Sequence, residues 1–481
     1  MSSSNPTYPF YLKAIIAVVL LVLTYFFCFH HLDWLSIQHW DEGLFAMRAS
    51  YLAKTGMVLE NFDSFPFMNS HANTKPPLVT FVQAFLVKHM DNYILAIRLP
   101  SAIAQVLLAL FILWMGKVGF KKYAIGVLGF LIFLSTKGLY VGHIARFGDQ
   151  DMPFIFFLFV SLGLLFHYLQ TQKVVYIIGS IMFFFFAYYT KSILAYVVFP
   201  GVLFYLLIEK KFERLKNPKN YLYAVVFLLP LIISLLVSDS HHGNAKRFTV
   251  ALDHYNVWHH YFDLFVAEAY LMPWIFFVLL GLVLSLFLPN KQLKYLSIQA
   301  LVIFSLMSFA KMRLHHYIAI LYPIAALIAA YALYVVLEGF YKNLSIDSVS
   351  TRKFIIGGSL VLLFAFAFNP VKEYTYKPVE IRDEHLFGEF LDKYHKGVEP
   401  VKEFTIVTNY LPLTIAFYAD LFEWKYNYNI NHSDITNQLY VEGRVLMIHK
   451  EEYPEFLTTY ETEIISETKK IVLARVVSLK E

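Results

Sequence analysis

The chain has 481 residues, of which 58% are hydrophobic and 16% are charged, and its formal net charge is +5 at pH 7. It is far more apolar than a soluble domain requires, and the small basic excess gives no reason to expect nucleic-acid binding. The composition therefore predicts a polytopic membrane protein. The single cysteine, Cys28, excludes a disulfide within the chain and argues against a metal–thiolate site.

Apolar runs about long enough to cross a bilayer as a helix recur along the first 370 residues. We predict a mainly α, polytopic domain over residues 1–370. Its eleven spans are expected at residues 12–29, 97–116, 123–136, 152–170, 174–190, 192–209, 221–238, 268–288, 295–310, 315–338 and 354–369. The first run is interpreted as a retained helix, because no convincing small-residue cleavage site follows it.

The basic residues between the spans predict the orientation. Residues 210–219 form the densest short basic segment and are expected to be cytoplasmic. Alternation from that segment leaves the N-terminus inside and residues 371–481 outside. Charged residues from six loops then lie at the outer face. The basic residues among them have acids and histidines close by in the sequence, whereas the inner basic residues resemble plain membrane anchors.

The first outer loop, residues 30–96, is predicted to hold two helices that do not span. Residues 43–55 suggest an amphipathic helix that opens after Asp41 and Glu42, because acidic residues suit a helix N-terminus. Residues 78–91 are apolar but short, which indicates a helix in the interface.

The composition becomes mixed and polar from residue 371, which predicts a small extracytoplasmic α/β domain over residues 371–481. Its strands are expected at 404–408, 444–448 and 471–477, and its helices at 412–418 and 451–460.

Two segments of the first outer loop are candidates for chemistry. Asp41 and Glu42 could act as a catalytic carboxylate pair, or they could simply cap a helix. Lys75 precedes two prolines, which fix the backbone and hold its ammonium in position, as suits phosphate binding. The two segments together favour a site over a cap.

A second candidate site runs from Arg146 to Asp151, just ahead of a Phe- and Leu-rich run. Ionisable groups at membrane depth are energetically expensive and mark functional positions. Asp149 and Asp151 are candidate substrate-site acids, and Gly148 permits close backbone approach. An interfacial ion pair is the alternative interpretation.

Further cationic residues stand at the outer ends of later spans. Lys311, Arg313, His315 and His316 could bind an anionic head group together with Tyr317, or the first two could be snorkelling anchors. Arg98 and Lys191 are single cations that alone would also be anchors. Adjacent histidines rarely ligate one ion together, so we expect no cofactor, with a divalent metal as the alternative.

Several short motifs follow one another in a recognisable order. They are the Asp41-Glu42 loop, Lys75-Pro76-Pro77-Leu78, Ile97-Arg98-Leu99-Pro100-Ser101-Ala102, Arg146 with Asp151 five residues later, Met272-Pro273-Trp274, Lys311-x-Arg313 followed by His316-Tyr317, and Tyr322-Pro323. This order resembles the large GT-C membrane glycosyltransferases, in particular the aminoarabinose transferase and protein O-mannosyltransferase-like branch. The resemblance covers roughly residues 10–340.

The resemblance implies transfer of a sugar from a polyprenyl-phosphate donor to a lipid, glycan or protein acceptor outside a bacterial cytoplasmic membrane, with inversion. It implies Asp41 as the base, with Glu42 beside it. The implied contacts to the donor phosphate are Lys75, Arg98 and Arg146, and we expect Lys191, Lys311 and Arg313 to add to them. Leu44 and Thr74 stand where aminoarabinose enzymes have an Arg and an acid, so the donor sugar and metal requirement do not carry over.

Two other functions remain open. A lipid-linked oligosaccharide ligase or polymerase would use a similar outer cavity with a different donor. A secondary transporter of anionic substrates would place charges near the bilayer midplane and would have related halves. Here the charges gather at one face, and no internal repeat is visible.

Overall fold

The computed structural model describes residues 10–34, 37, 41–57, 76–141, 144–210, 218–237, 259–310, 315–343, 348–376, 405–408, 425–427, 445–451, 453–458, 460–467 and 471–480. Most of these residues are helical. The predicted fold class, a mainly α membrane protein with a small C-terminal sheet, is confirmed.

The helices are numbered here in chain order. They are α1 (Phe10–Thr24, continued by a π-helical turn, Tyr25–Phe29), α2 (Asp41–Thr55), α3 (Leu78–His89), α4 (Tyr93–Val118), α5 (Tyr123–Leu134), α6 (Gly138–Val141), α7 (Asp151–Thr171), α8 (Val174–Lys191), α9 (Phe199–Ile208), α10 (Pro218–Val237), α11 (His259–Val266), α12 (Ile275–Phe287), α13 (Lys291–Phe309), α14 (Leu321–Asn343) and α15 (Val349–Tyr376). Short 3₁₀ turns, Ser192–Val198 and His315–Ile320, precede α9 and α14.

Each of the eleven predicted spans overlaps a helix. By length and composition, eight helical segments of the described chain could cross a membrane. One of them, Val174–Ile208, runs through two predicted spans. Outside these eight segments, α3, α10 and α12 contain shorter apolar stretches. The predicted span at 268–288 begins too early, because α12 starts only at Ile275.

Burial distinguishes central helices from peripheral ones. In the apolar stretch of α7, 83% of the residues are buried, whereas in that of α15 only 17% are buried. Leu, Val and Phe side chains on the outer faces of α1, α10 and α15 stay exposed. An apolar face that is not covered by protein suits lipid, so the peripheral helices present the bilayer surface.

The two helices predicted in the first outer loop are present as α2 and α3. The second is the short apolar helix that was expected, and its residues Val79, Thr80, Gln83 and Ala84 are buried. The first differs from the amphipathic prediction, since every residue from 42 to 49 is buried. Helix α2 is therefore packed inside the protein over its first two turns.

The C-terminal residues form one five-stranded mixed sheet. Its strands are β1 (Thr405–Thr408), β2 (Lys425–Asn427), β3 (Val445–His449), β4 (Tyr460–Glu467) and β5 (Ile471–Leu479), in the order β2-β1-β3-β5-β4. Strand β1 runs parallel to β2 and β3, while β5 lies antiparallel to β3 and β4.

The strand predictions near 404–408, 444–448 and 471–477 are confirmed. The helix predicted at 451–460 is wrong at its end, because only Tyr453–Phe456 is helical and Tyr460 already begins β4. The helix predicted at 412–418 lies outside the described residues.

Candidate functional site

A buried ion pair joins the start of α2 to α4. Arg98 Nε donates to Glu42 Oε1 at 2.7 Å, and its Nη2 donates to Glu42 Oε2 at 3.0 Å. Both side chains are only 3% exposed. Arg98 Nη1 also donates to the carbonyl of Leu32 at 3.0 Å. Planar guanidinium–carboxylate pairing of this kind fixes orientation as well as distance.

The irregular stretch 144–150 is held against this pair. The N–H of Gly148 donates to Glu42 Oε1 at 2.7 Å. A Cβ at Gly148 would lie 2.2 Å from Ile97 Cγ2, so only glycine lets the backbone come this close. Gln83 of α3 adds a second tie, since its Nε2 donates to the carbonyls of Gly148 and Ile97 at 2.7 and 2.9 Å.

Arg146 ties the same stretch to the end of the first span. Its Nη2 donates to the carbonyl of His30 at 2.5 Å and its Nη1 to that of Phe27 at 3.4 Å. The backbone of Arg146 has a φ of +67°, in the left-handed region that non-glycine residues rarely adopt. Burial lowers the pKa of Arg146 to about 10, which leaves the group cationic at neutral pH.

A second ion pair forms where α7 begins and α8 ends. Lys191 Nζ donates to Asp151 Oδ1, and the ammonium also lies 5.5 Å from the centre of the Tyr317 ring. The Lys191 side chain is 13% exposed, whereas Asp151 is 3% exposed. The Lys191 side chain is therefore the more exposed partner of the pair.

Asp41, Asp149 and His316 complete the cluster. The His316 ring stacks edge-on against Tyr317 at 4.6 Å, and Asp41, Asp149, Lys191 and His315 all act electrostatically on it. Asp149 is buried, and its Oδ1 accepts the N–H of Gln150 at 2.5 Å. Asp41 is half-buried at the first position of α2, where a carboxylate interacts favourably with the helix dipole.

The candidate residues therefore fall into two neighbouring groups. The first group holds the carboxylates Asp41, Asp149 and Asp151 with Lys191, His315, His316 and Tyr317. The second is the Glu42–Arg98 pair with Arg146, whose hydrogen bonds go to protein acceptors. The predicted sites Lys75, Lys311 and Arg313 lie outside the described residues, although Pro76, next to Lys75, accepts a hydrogen bond from Gln150 Nε2 at 3.1 Å.

Three residues that position the site were not singled out from the sequence. They are Gln83, Gln150 and Ser101, whose hydroxyl donates to the carbonyl of Asp149 at 2.9 Å. All three are fully buried. A glutamine within a short apolar helix was the available signal for Gln83, since a buried amide requires partners.

The described residues contain no group of three or more His, Cys, Asp or Glu side chains that could hold a metal ion. The carboxylates of the first group are instead accompanied by an ammonium and two imidazoles. Metal dependence stays a prediction for experiment.

Sequence comparison matches residues 74–237 to a family model described as dolichyl-phosphate-mannose-protein mannosyltransferase. The chain is also 26% identical over 194 residues to a protein of Bacillus subtilis (strain 168) described as putative mannosyltransferase YkcB. That match covers 38% of this chain and spans only 27% of the relative's own length.

Solved structures extend the likeness to the whole chain. ArnT from Cupriavidus metallidurans, bound to undecaprenyl phosphate, superposes with a TM-score of 0.71 over 96% of this chain and 97% of its own, at 13% identity. The apo oligosaccharyltransferase of Archaeoglobus fulgidus gives a TM-score of 0.61 over 93% and 71%, at 11% identity. The fold is that of GT-C membrane glycosyltransferases, and the resemblance drawn from the sequence is confirmed.

Proposed function

We propose that this chain, which has the GT-C fold, is an inverting glycosyltransferase that uses a polyprenyl-phosphate sugar as donor. The observation that carries the proposal is the convergence of Asp41, Asp149, the Asp151–Lys191 pair and His316 at one end of a set of apolar helices. A lipid-linked, charged substrate needs a polar reaction centre beside an apolar surface, and this arrangement supplies both.

Asp41 is the proposed base. A sugar hydroxyl is a poor nucleophile until its proton is removed during attack, and a positioned carboxylate can take that proton. Asp41 is only half-buried and stands at the start of α2, so its carboxylate has access to a substrate. The acceptor oxygen would attack the anomeric carbon from the face opposite the leaving phosphate, which inverts that centre.

Glu42 has a different proposed role from its neighbour. Its two oxygens accept hydrogen bonds from Arg98 and from the N–H of Gly148. Those bonds fix the first turn of α2 and thus the place of Asp41. We assign Glu42 and Arg98 as positioning residues.

The leaving phosphate needs fixed cations, because negative charge grows on it as the bond to the sugar breaks. Lys191 supplies an ammonium that pairs with Asp151, and the predicted Lys75, Lys311 and Arg313 would add to it. Arg146 gives hydrogen bonds to the Phe27 and His30 carbonyls and holds the loop that carries Asp149. ArnT, with which this fold superposes, was solved with undecaprenyl phosphate, which supports the choice of lipid.

The proposal is tested by transfer in membranes with radiolabelled polyprenyl-phosphate sugars (mannose, aminoarabinose and galactosamine), with native membranes as acceptor source. Asp41→Asn should lower the rate by about 10²- to 10⁴-fold, the usual contribution of general base catalysis. The matched control is Asp263→Asn, which makes the same change at an exposed carboxylate of α11. Equal rates in Asp41→Asn and wild type would contradict the assignment of the base.

Further arms of this experiment separate the remaining alternatives. A polyprenyl-pyrophosphate oligosaccharide used in place of every monophosphate donor would favour a ligase. Activity that survives a chelator would agree with a metal-independent reaction. Transfer that occurs only in sealed vesicles of one orientation would report on which face the site opens, which we propose to be the outer face of a bacterial cytoplasmic membrane.

A further inference from the structure

Two adjacent side chains of the site each carry an oxygen that accepts no hydrogen bond from the described residues. Asp151 Oδ2 and Gln150 Oε1 are both fully buried and have no hydrogen-bond partner within the described part of the chain. They lie at the start of α7, and the other oxygen of Asp151 accepts a hydrogen bond from the Lys191 ammonium. A buried polar atom without a partner is unfavourable, and at a reaction centre it indicates a missing ligand.

The orientation of the Gln150 amide is determined by its surroundings. Its Nε2 donates to the carbonyl of Pro76 at 3.1 Å. Exchanging the amide nitrogen and oxygen would set two oxygens against each other at that contact. Oε1 therefore points away from Pro76 as an acceptor in need of a donor.

The Asp151 carboxylate is also an acceptor at this point. Its Oδ1 accepts a hydrogen bond from the ammonium of Lys191 within an ion pair. An ionised carboxylate can only accept hydrogen bonds. Consecutive residues at the start of α7 thus offer two buried acceptors, one from an amide and one from a carboxylate, and the preceding residue, Asp149, carries a second carboxylate.

We propose that Asp151 Oδ2 and Gln150 Oε1 form a subsite for the transferred sugar, which supplies hydrogen-bond donors to both. This inference rests on the proposed function and names the part of the donor that the site recognises. Hydroxyl groups of a neutral sugar and the ammonium of an amino sugar both qualify. A uronic acid does not, because its carboxylate would face those of Asp149 and Asp151.

Both acceptor oxygens are shut off from solvent, whereas the Lys191 side chain that pairs with Asp151 is 13% exposed. A ligand that brings donors relieves two unmatched acceptors as it enters. A ligand without them would leave the acceptors buried and unmatched, so the subsite discriminates by the presence of a donor group.

The test combines modified donors with variants of the full-length protein. Rates are measured with polyprenyl-phosphate mannose, its 2-, 3-, 4- and 6-deoxy analogues, the aminoarabinose donor and a glucuronic acid donor. Asp151→Asn keeps the shape and one oxygen toward Lys191 but replaces the second oxygen by a donor. Gln150→Met removes the other acceptor, and Asp263→Asn serves as the matched control.

Removal of the recognised hydroxyl should lower wild-type kcat/KM by roughly 10- to 100-fold, as expected for a hydrogen bond to a charged group. Asp151→Asn should abolish that penalty for the same hydroxyl, and the control should retain it. If both site variants keep the full deoxy profile, buried water satisfies these oxygens and the subsite is refuted. If wild type uses none of the donors, the proposed function itself fails, which is a distinguishable result.

Monodispersity in detergent and an unchanged melting temperature serve as the check that each variant is folded. Where Asp151→Asn fails this check, Gln150→Met decides alone, because its residue takes no part in the Lys191 ion pair. An active wild type that prefers the glucuronic acid donor would also overturn the inference.

Discussion

Arg98 and Glu42 are bound to each other through two parallel hydrogen bonds at 2.7 and 3.0 Å, in a place where both side chains are 3% exposed. This pair joins α4 to the first turn of α2. The catalytic candidate Asp41 precedes Glu42 directly in the chain. The position of the proposed base is therefore determined by an ion pair in which it takes no part.

Arg98→Met tests this dependence. The substitution leaves the Glu42 carboxylate buried without its cation, which should destabilise the protein by roughly 3–5 kcal/mol. Thermal unfolding in detergent measures the loss. Lys342→Met removes the cation of an exposed pair with Glu338 and should change stability by less than about 1 kcal/mol. Equal losses in the two variants would contradict the structural importance of the buried pair.

Gly148→Ala tests the close approach of the loop. The new Cβ would meet Ile97 Cγ2 at 2.2 Å, so the loop must shift, at an expected loss of about 1–3 kcal/mol and most of the activity. Adding Ile97→Ala removes the clashing methyl and should restore part of the activity. Gly339→Ala is the control, since nothing lies within 4 Å of the added carbon. If Ile97→Ala does not restore activity to Gly148→Ala, the clash with Ile97 is not the cause of the loss.

Lys191→Met tests the second buried pair. Alone it leaves the Asp151 carboxylate without its ammonium, and a loss of roughly 3–5 kcal/mol is expected. The double variant Asp151→Asn with Lys191→Met should be more stable than Lys191→Met alone, because the unpaired charge is gone. The comparison pair is Lys294 with Glu209, whose side chains are 34% and 14% exposed, so Lys294→Met should lose less stability than Lys191→Met. Strictly additive losses at Asp151 and Lys191 would argue against their coupling.

The helical part of the fold was predictable because a bilayer leaves the backbone few options. A spanning segment must satisfy its own backbone hydrogen bonds, so apolar length alone identified the helices. The ends of the helices were predicted less accurately. The predicted span at 268–288 began seven residues before α12, because Tyr270 to Trp274 are mostly apolar without being helical. Hydropathy reports burial or lipid contact and does not by itself distinguish a turn from a helix.

The C-terminal strands show a different limit. Strand β4 carries several glutamates, and its start was predicted as helix. Glu461 and Glu463 are exposed, whereas Tyr460 is buried and Thr462 is partly buried. Pairing with β5 sets the strand conformation. Such pairing between segments is a property of the folded sheet and is weakly encoded in either strand alone.

The site was foreseen as a set of charges but not as a network. Asp41, Asp149, Asp151 and Lys191 could be singled out because charge beside an apolar run is expensive. Their partners could not be named. Glu42 and Arg98 are 56 positions apart, and Gln83 reaches Gly148 across 65. Sequence spacing predicts contacts only between residues within a few helical turns of each other. These two contacts join residues much farther apart in the chain.

The way residues 146–149 are held has a consequence for the order in which the protein is made. Their long-range hydrogen-bond partners include the Phe27 and His30 carbonyls, Glu42, Gln83 and Ser101, which precede them by 48 to 119 positions. A ribosome therefore delivers all five before it delivers the loop. The loop emerges onto a surface that already exists, and the remaining helices can complete the centre around a part whose shape they need not set.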